Sequence, residues 1–215
     1  MRLPLVLWTG FVLAFASLSY AGRATAGKPK PDVLYQWSTF VAYVVQYAVI
    51  GLIVWGIAGL GRRFELFALR RPTSWRRAAA IAVGIWIGMA ILASILGPLL
   101  HPGREQGLTP TRWEPSHAGA YVANSLLIAV LVPVIEEVTF RGLGFALLRR
   151  YGEWTAILST GLLFGLAHGL VQALPLLVAF GIGLAYLRSR VESVYPGMVV
   201  HGLFNAASLV FAVAH

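Results

Sequence analysis

An all-α, polytopic transmembrane helical bundle of about seven spans is the fold class this sequence predicts, and three observations predict it. The 215 residues are 58% hydrophobic and only 12% charged, whereas a soluble domain is about half apolar and about a quarter charged. Mean hydropathy is +0.75. The apolar residues arrive in long blocks, and only 8 acidic residues are present to clothe a surface in water. A bilayer is the solvent that suits such blocks, and this hydrophobic content excludes intrinsic disorder.

The blocks fall at roughly 3–21, 37–60, 78–100, 119–148, 154–171, 173–187 and 196–214. Each approaches the ~20 residues that cross a hydrocarbon core, with tilt and short spans allowed for. In lipid each must be a helix, because every backbone N–H and C=O needs an internal partner. Pro98, Pro133 and Pro175 are compatible with helix in that solvent. The first block, Arg2 followed by an apolar run to Leu18 and then small residues, also has the outline of a cleaved signal peptide. Its single basic residue before the apolar run favours an uncleaved helix that anchors the bundle. The glycine spacings Gly84/Gly88 and Gly165/Gly169 predict close helix contacts.

The connections set orientation. With N-terminus in and C-terminus out, eleven basic residues lie inside: Arg2, the loop arginines 62, 63, 70, 71, 76 and 77, then Arg149 and Arg150, then Arg188 and Arg190. Five lie outside, in two polar loops over 22–36 and 101–118: Arg23, Lys28, Lys30, Arg104 and Arg112. This is the positive-inside pattern. It accounts for the net charge of +9 without nucleic acid, for which no basic soluble domain is available. The expected location is the bacterial inner (cytoplasmic) membrane.

Scarce residue types narrow the chemistry. The absence of cysteine removes disulfides, thiolate nucleophiles and iron–sulfur ligation. Asp32 is the one aspartate, so a two-aspartate protease cannot be built from this chain alone. Ionisable groups inside spans cost a few kcal/mol each and mark function. They are few: Glu136, Glu137 and Arg141 in the fourth block, His168 in the fifth, and His201 in the seventh, one turn before the carboxamide of Asn205. Counted at the helical rise, Glu136 lies about 20 Å from Arg149 and His168 about 21 Å from Trp154. His201 and Asn205 lie about 16 and 22 Å from Arg190 if the intervening turn is helical. Three helices thus bring polar groups to one level.

Spacing divides the roles. Glu137 and Arg141 are i,i+4 and share a face, so they can pair as ions. Glu136 lies about 100° round the helix, away from that cation, where a desolvated carboxyl suits a general base. His201 and Asn205, again i,i+4, present an imidazole and a carboxamide that can donate to an oxyanion. The competing reading is interhelical polar glue.

The order Glu136-Glu137-Val138-Thr139-Phe140-Arg141, then Phe164-Gly165-Leu166-Ala167-His168, then His201-Gly202-Leu203-Phe204-Asn205 resembles the CPBP family of intramembrane proteases. That family includes the CAAX prenyl endopeptidases and bacteriocin-processing relatives. The resemblance covers about 119–214. The chain then divides into N-terminal membrane helices and loops over 1–118 and a CPBP-like catalytic core over 119–215. What the resemblance implies is a catalytic Glu136, a His168 that shares its water, oxyanion donors His201 and Asn205, and a supporting Glu137–Arg141 pair. The expected reaction is hydrolysis of a peptide bond in a membrane-anchored protein or peptide, with the lipid bilayer as surroundings. Either a metal-free glutamate route carries it, or Zn²⁺ held by Glu136, His168 and His201 does. With no HExxH helix in the chain, the metal-free route is favoured and no cofactor is expected. A non-enzymatic immunity or scaffold protein, or a proton-coupled transporter using Glu136, is the alternative.

Overall fold

Helices satisfy a backbone that has no water to bond, and the computed structural model is built of them throughout. It describes residues 2–26, 32–60, 64–100, 105, 110 and 113–214, with no strand among them. Seven helices follow in order: α1 (Arg2–Ala26), α2 (Trp37–Gly59), α3 (Trp75–Leu100), α4 (118–148), α5 (Glu153–Ala167), α6 (Leu174–Val191) and α7 (Tyr195–Ala214). The helices α1, α2, α3, α4 and α6 are each long and apolar enough to cross a membrane. Much of the outward surface is apolar too. Val83, Ile87, Ile91, Ile95 and Leu99 form an exposed stripe on α3, and Val41, Val45 and Val49 form another on α2. Patches of this size suit lipid, whereas monomeric soluble proteins avoid them. Parts of the two predicted outer loops, with Lys28, Lys30, His101, Arg104 and Arg112, lie outside the described residues, as do Arg62 and Arg63.

The first block is longer than its apolar run: α1 continues to Ala26. Trp8, Val12 and Ala16, one turn apart, are buried against the bundle. The Trp8 indole N–H donates to the Thr139 carbonyl at 3.0 Å, and Gly144 leaves the space its ring fills. Thus α1 is a wall of the bundle.

Helix α4 is not uniform. Two π-helical stretches, Leu127–Leu131 and Val138–Gly144, flank the α-helical turns Val132–Glu137. Pro133 supplies no N–H to the preceding turn, which is the local reason for the first widening. The carbonyls it turns outward face α7. Asn205 Nδ2 donates to Ile128 O at 3.0 Å, and a Cβ on Gly202 would stand 2.5 Å from Ala129 O. Insertions of this kind cluster at functional sites, and here they bracket Glu136 and Glu137.

Three expectations need correction. Helix α5 ends at Ala167, not 171, because Gly169 adopts φ 63°, so His168 caps the helix instead of sitting within it. Fifteen residues make only about 22 Å, and α5 stops at the depth of the site. The turn before α6 is tied down by Glu105, whose carboxylate accepts from the N–H groups of Val171, Gln172 and Ala173 at 2.6, 2.7 and 3.2 Å. Second, α6 runs to Val191, so Arg188 and Arg190 belong to its last turn, and Glu192 reverses the chain at φ 56°. That turn is not helical, so the depth counted from Arg190 to His201 does not hold. The turn itself is sunk in the protein, with Ser193 and Val194 fully buried. Third, a Cβ on Gly84 or Gly88 would meet nothing within 4 Å, whereas one on Gly169, which also serves a turn, would stand 2.7 Å from Ser19 of α1. The close helix crossing is made by Gly161 of α5 against Gly181 of α6 and by Gly165 against Val178. There an added Cβ would meet neighbours at 2.5–2.8 Å, the small-residue packing expected between membrane helices.

Candidate active site

The side chains singled out by sequence converge, but not in a simple ring. Glu137 is fully buried, and its Oε1 lies 3.0 Å from Arg141 Nη1 and 3.3 Å from His201 Nδ1. Space for the carboxylate comes from Gly197 on α7, where a Cβ would approach Glu137 Oε2 to 2.5 Å. Arg141, equally buried, reaches on to α6, where Nη2 donates to Gly181 O at 3.1 Å. Its guanidinium lies 4.2 Å from the centre of the Phe164 ring. One cation thereby joins α4, α5 and α6, and its pairing with Glu137 is the i,i+4 contact expected from spacing.

Glu136 points away from that cation, as a 100° step requires. Its Oε2 stands 3.6 Å from His201 Nε2 and makes no hydrogen bond to protein. Its Oε1 accepts from the Tyr47 hydroxyl on α2 at 2.7 Å. One carboxylate oxygen is therefore fixed, and the other is left with lone pairs facing the interior. His201 spans both glutamates through its two ring nitrogens. The ring is gripped edge-on by Phe164 and Phe180, at centroid distances of 5.6 and 5.4 Å.

His168 reaches the site differently. Its Nδ1 is 2.7 Å from the Phe164 carbonyl. A carbonyl only accepts, so Nδ1 carries the proton, and Nε2 is the nitrogen left for other partners. No hydrogen bond links His168 to Glu136; the two meet as walls of one cavity. Asn205 gives one amide proton to Ile128 O and retains a second donor, so the contact that sequence reading weighed as glue is present.

A cavity of about 880 Å³ adjoins the cluster, lined by Glu136, His168, His201 and Asn205 among others. This lies within the usual range for ligand sites. All seven helices line it, including Phe11 and Phe15 of α1, Tyr43 and Tyr47 of α2, and Met89 of α3. The walls are mainly apolar, with Glu136, His168, His201 and Asn205 among the polar groups. Among the described residues, no three His, Asp or Glu side chains converge as a metal site. His168 is separate from the Glu136–His201 approach, so the set proposed for Zn²⁺ does not fit as arranged.

Tyr47 is the participant that sequence reading missed. A tyrosine among valines reads as core or interface, since hydropathy barely penalises it. The available signal was its hydroxyl, which needs a partner when buried. Hydrogen bonds to charged groups contribute about 1.5–3 kcal/mol. Tyr47→Phe, which keeps the ring packed on Tyr43, is expected to lower turnover about tenfold or more and to cost about 1.5–3 kcal/mol of stability. Parallel measurements of turnover and melting on the purified chain check this, and unchanged turnover would remove Tyr47 from the positioning of Glu136.

Residues 118–207 match a family described as Rce1-like, the type II CAAX prenyl endopeptidase Rce1-like family. The matched stretch runs from the start of α4 to the middle of α7 and holds every polar residue expected at the site, while Tyr47 of α2 lies outside it. No curated protein and no solved structure matches the chain.

Proposed function

We infer, for a membrane protein whose residues 118–207 belong to the Rce1-like CAAX endopeptidases, consistent with the CPBP family, that it hydrolyses a peptide bond of a membrane-anchored protein or peptide within the bilayer, using Glu136 as the base. The observation that carries this is the asymmetry of Glu136. Tyr47 holds Oε1, and Oε2 makes no protein hydrogen bond beside a cavity of peptide size. In the reaction Glu136 Oε2 takes a proton from water, and the hydroxide attacks the scissile carbonyl. His168 Nε2, on the wall of the same cavity, orients that water. His201 Nε2 and the free Asn205 amide proton stabilise the tetrahedral oxyanion. Glu136 then returns its proton to the leaving amine. Glu137 and Arg141 hold His201 and Glu136 at fixed positions and do not touch substrate. Every step is assigned to side chains of this chain, and none is routed through a metal.

A transporter would need a path through the bundle. Below Glu136 the interior is filled by Leu143, Phe145, Leu147, Leu184 and Leu187, each 0–1% exposed, so the cavity is blind. The test is a comparison of membrane proteomes from cells carrying wild type and Glu136→Gln. A protein that shifts in size only with wild type is the expected result and names the substrate. Identical proteomes, with full complementation by the variant, would refute the protease reading.

A further inference from the structure

The cavity is confined to one end of the bundle. Its lining comes from α1 between Phe11 and Arg23, from the first half of α2 up to Ile50, and from the second half of α3 at Met89 and Ala93. The later helices contribute their complementary parts: Ile128 to Phe140 of α4, Phe164 to His168 around the end of α5, Ala173 to Phe180 leading into α6, and His201 to Leu209 of α7. In an antiparallel bundle these are all the same end. It is the end where α1 finishes, α2 begins and the Glu105-capped turn lies.

The opposite end is closed. The chain around Ala68–Thr73 is bonded to the α6–α7 turn by Thr73 N to Val191 O at 3.0 Å and Val194 N to Ala68 O at 3.2 Å. Arg70 and Arg149 both pair with Glu192, at 3.9 and 3.4 Å, and Arg190 pairs with Glu153 at 3.5 Å. This end also carries Arg71, Arg76, Arg77, Arg150 and Arg188. By sequence the loops at the cavity end carry five basic residues, Arg23, Lys28, Lys30, Arg104 and Arg112, against eleven at the arginine end, together with Asp32, Glu105 and Glu114. Membrane proteins keep lysine and arginine of short loops on the cytoplasmic side. The sealed, arginine-rich end is then cytoplasmic, and the cavity lies toward the other face.

We propose that the cleavage cavity is entered from the non-cytoplasmic face, and that its substrate is an apolar, membrane-anchored polypeptide whose scissile bond lies on the translocated side. This deepens the endopeptidase reading and rests on it for the word substrate. The geometry itself, a cavity confined to the end opposite the arginines, is independent of any activity. Water for hydrolysis enters from outside as well. A segment still in the cytoplasm, or a soluble cytoplasmic tail, has no route to Glu136.

The absence of native cysteine makes the test direct. Single substitutions are made in the full-length chain: Ser116→Cys at the cavity end, Ser208→Cys on the cavity wall and Thr73→Cys at the arginine end. Intact and permeabilised cells are treated with a membrane-impermeant maleimide. The expected result is labelling of Ser116→Cys and Ser208→Cys in intact cells, and of Thr73→Cys only after permeabilisation. The reverse pattern, or equal labelling of both ends in intact cells, overturns the proposal. Labelling of Ser116→Cys without Ser208→Cys overturns it too, because the cavity would not open to that face. Because labelling needs no turnover, a protease that labels from the cytoplasm would end this inference and spare the enzymatic one. Outside labelling, with no substrate dependent on Glu136, would do the opposite.

Discussion

Glu136→Gln is expected to slow peptide-bond cleavage by about 10²–10⁴-fold, the contribution a positioned general base makes. The change is nearly isosteric, and the glutamine carbonyl still accepts from the Tyr47 hydroxyl that now bonds Oε1. What disappears is the ability to hold a proton. The loss therefore belongs in kcat, with KM and melting temperature close to wild type, since no packed group is removed. His201→Ala is expected to lose a comparable factor, because Nε2 faces the same oxygen at 3.6 Å. Combining the two should cost far less than the product of the separate losses, because residues that act as one unit are not additive. Purified enzyme in lipid vesicles, with the substrate found by proteome comparison, provides the measurement. Near-wild-type turnover in Glu136→Gln would take that carboxylate out of the chemistry.

The sequence was a good guide to what lipid physics makes expensive. Apolar blocks marked the helices because a bilayer allows few other structures. Glu136, Glu137, Arg141 and His201 stood out because burying them in hydrocarbon carries a cost that only pairing or function offsets. The i,i+4 rule even separated the paired glutamate from the unpaired one. What it could not give was set by backbone detail and by contacts between distant segments. The end of α5 at Ala167 depends on Gly169 at φ 63°, and a glycine inside an apolar run carries no unambiguous stop signal in a membrane. The π-helical turns that redirect the Ile128 carbonyl to Asn205 leave no mark on hydropathy. Tyr47 lies 89 positions from Glu136, and nothing local announces that contact. The Gly84/Gly88 expectation failed because spacing alone does not say which face of a helix meets a neighbour.

Arg141→Ala is expected to destabilise the protein by about 3–5 kcal/mol, the cost of leaving one member of a buried ion pair uncompensated. Glu137 would remain with 0% exposure beside His201 alone. The links to Gly181 and to the Phe164 ring would go as well, loosening α4 from α5 and α6. Arg141→Lys should recover only part of this, since an ammonium cannot reach Glu137 and the Gly181 carbonyl through a planar fork. The informative comparison is the double variant Glu137→Gln with Arg141→Met, which removes both charges and keeps much of the volume. The double variant leaves no lone buried charge, the source of the cost in Arg141→Ala, so it should melt above Arg141→Ala. Its activity should nonetheless fall, because His201 Nδ1 would face an amide in place of the carboxylate at 3.3 Å that now orients it. Melting curves in detergent read the first effect, and turnover per folded molecule reads the second. A double variant no more stable than Arg141→Ala would mean that Arg141 contributes through packing and the Gly181 bond alone. A stable and fully active double variant would show that the catalytic pair Glu136 and His201 needs no charged support beneath it.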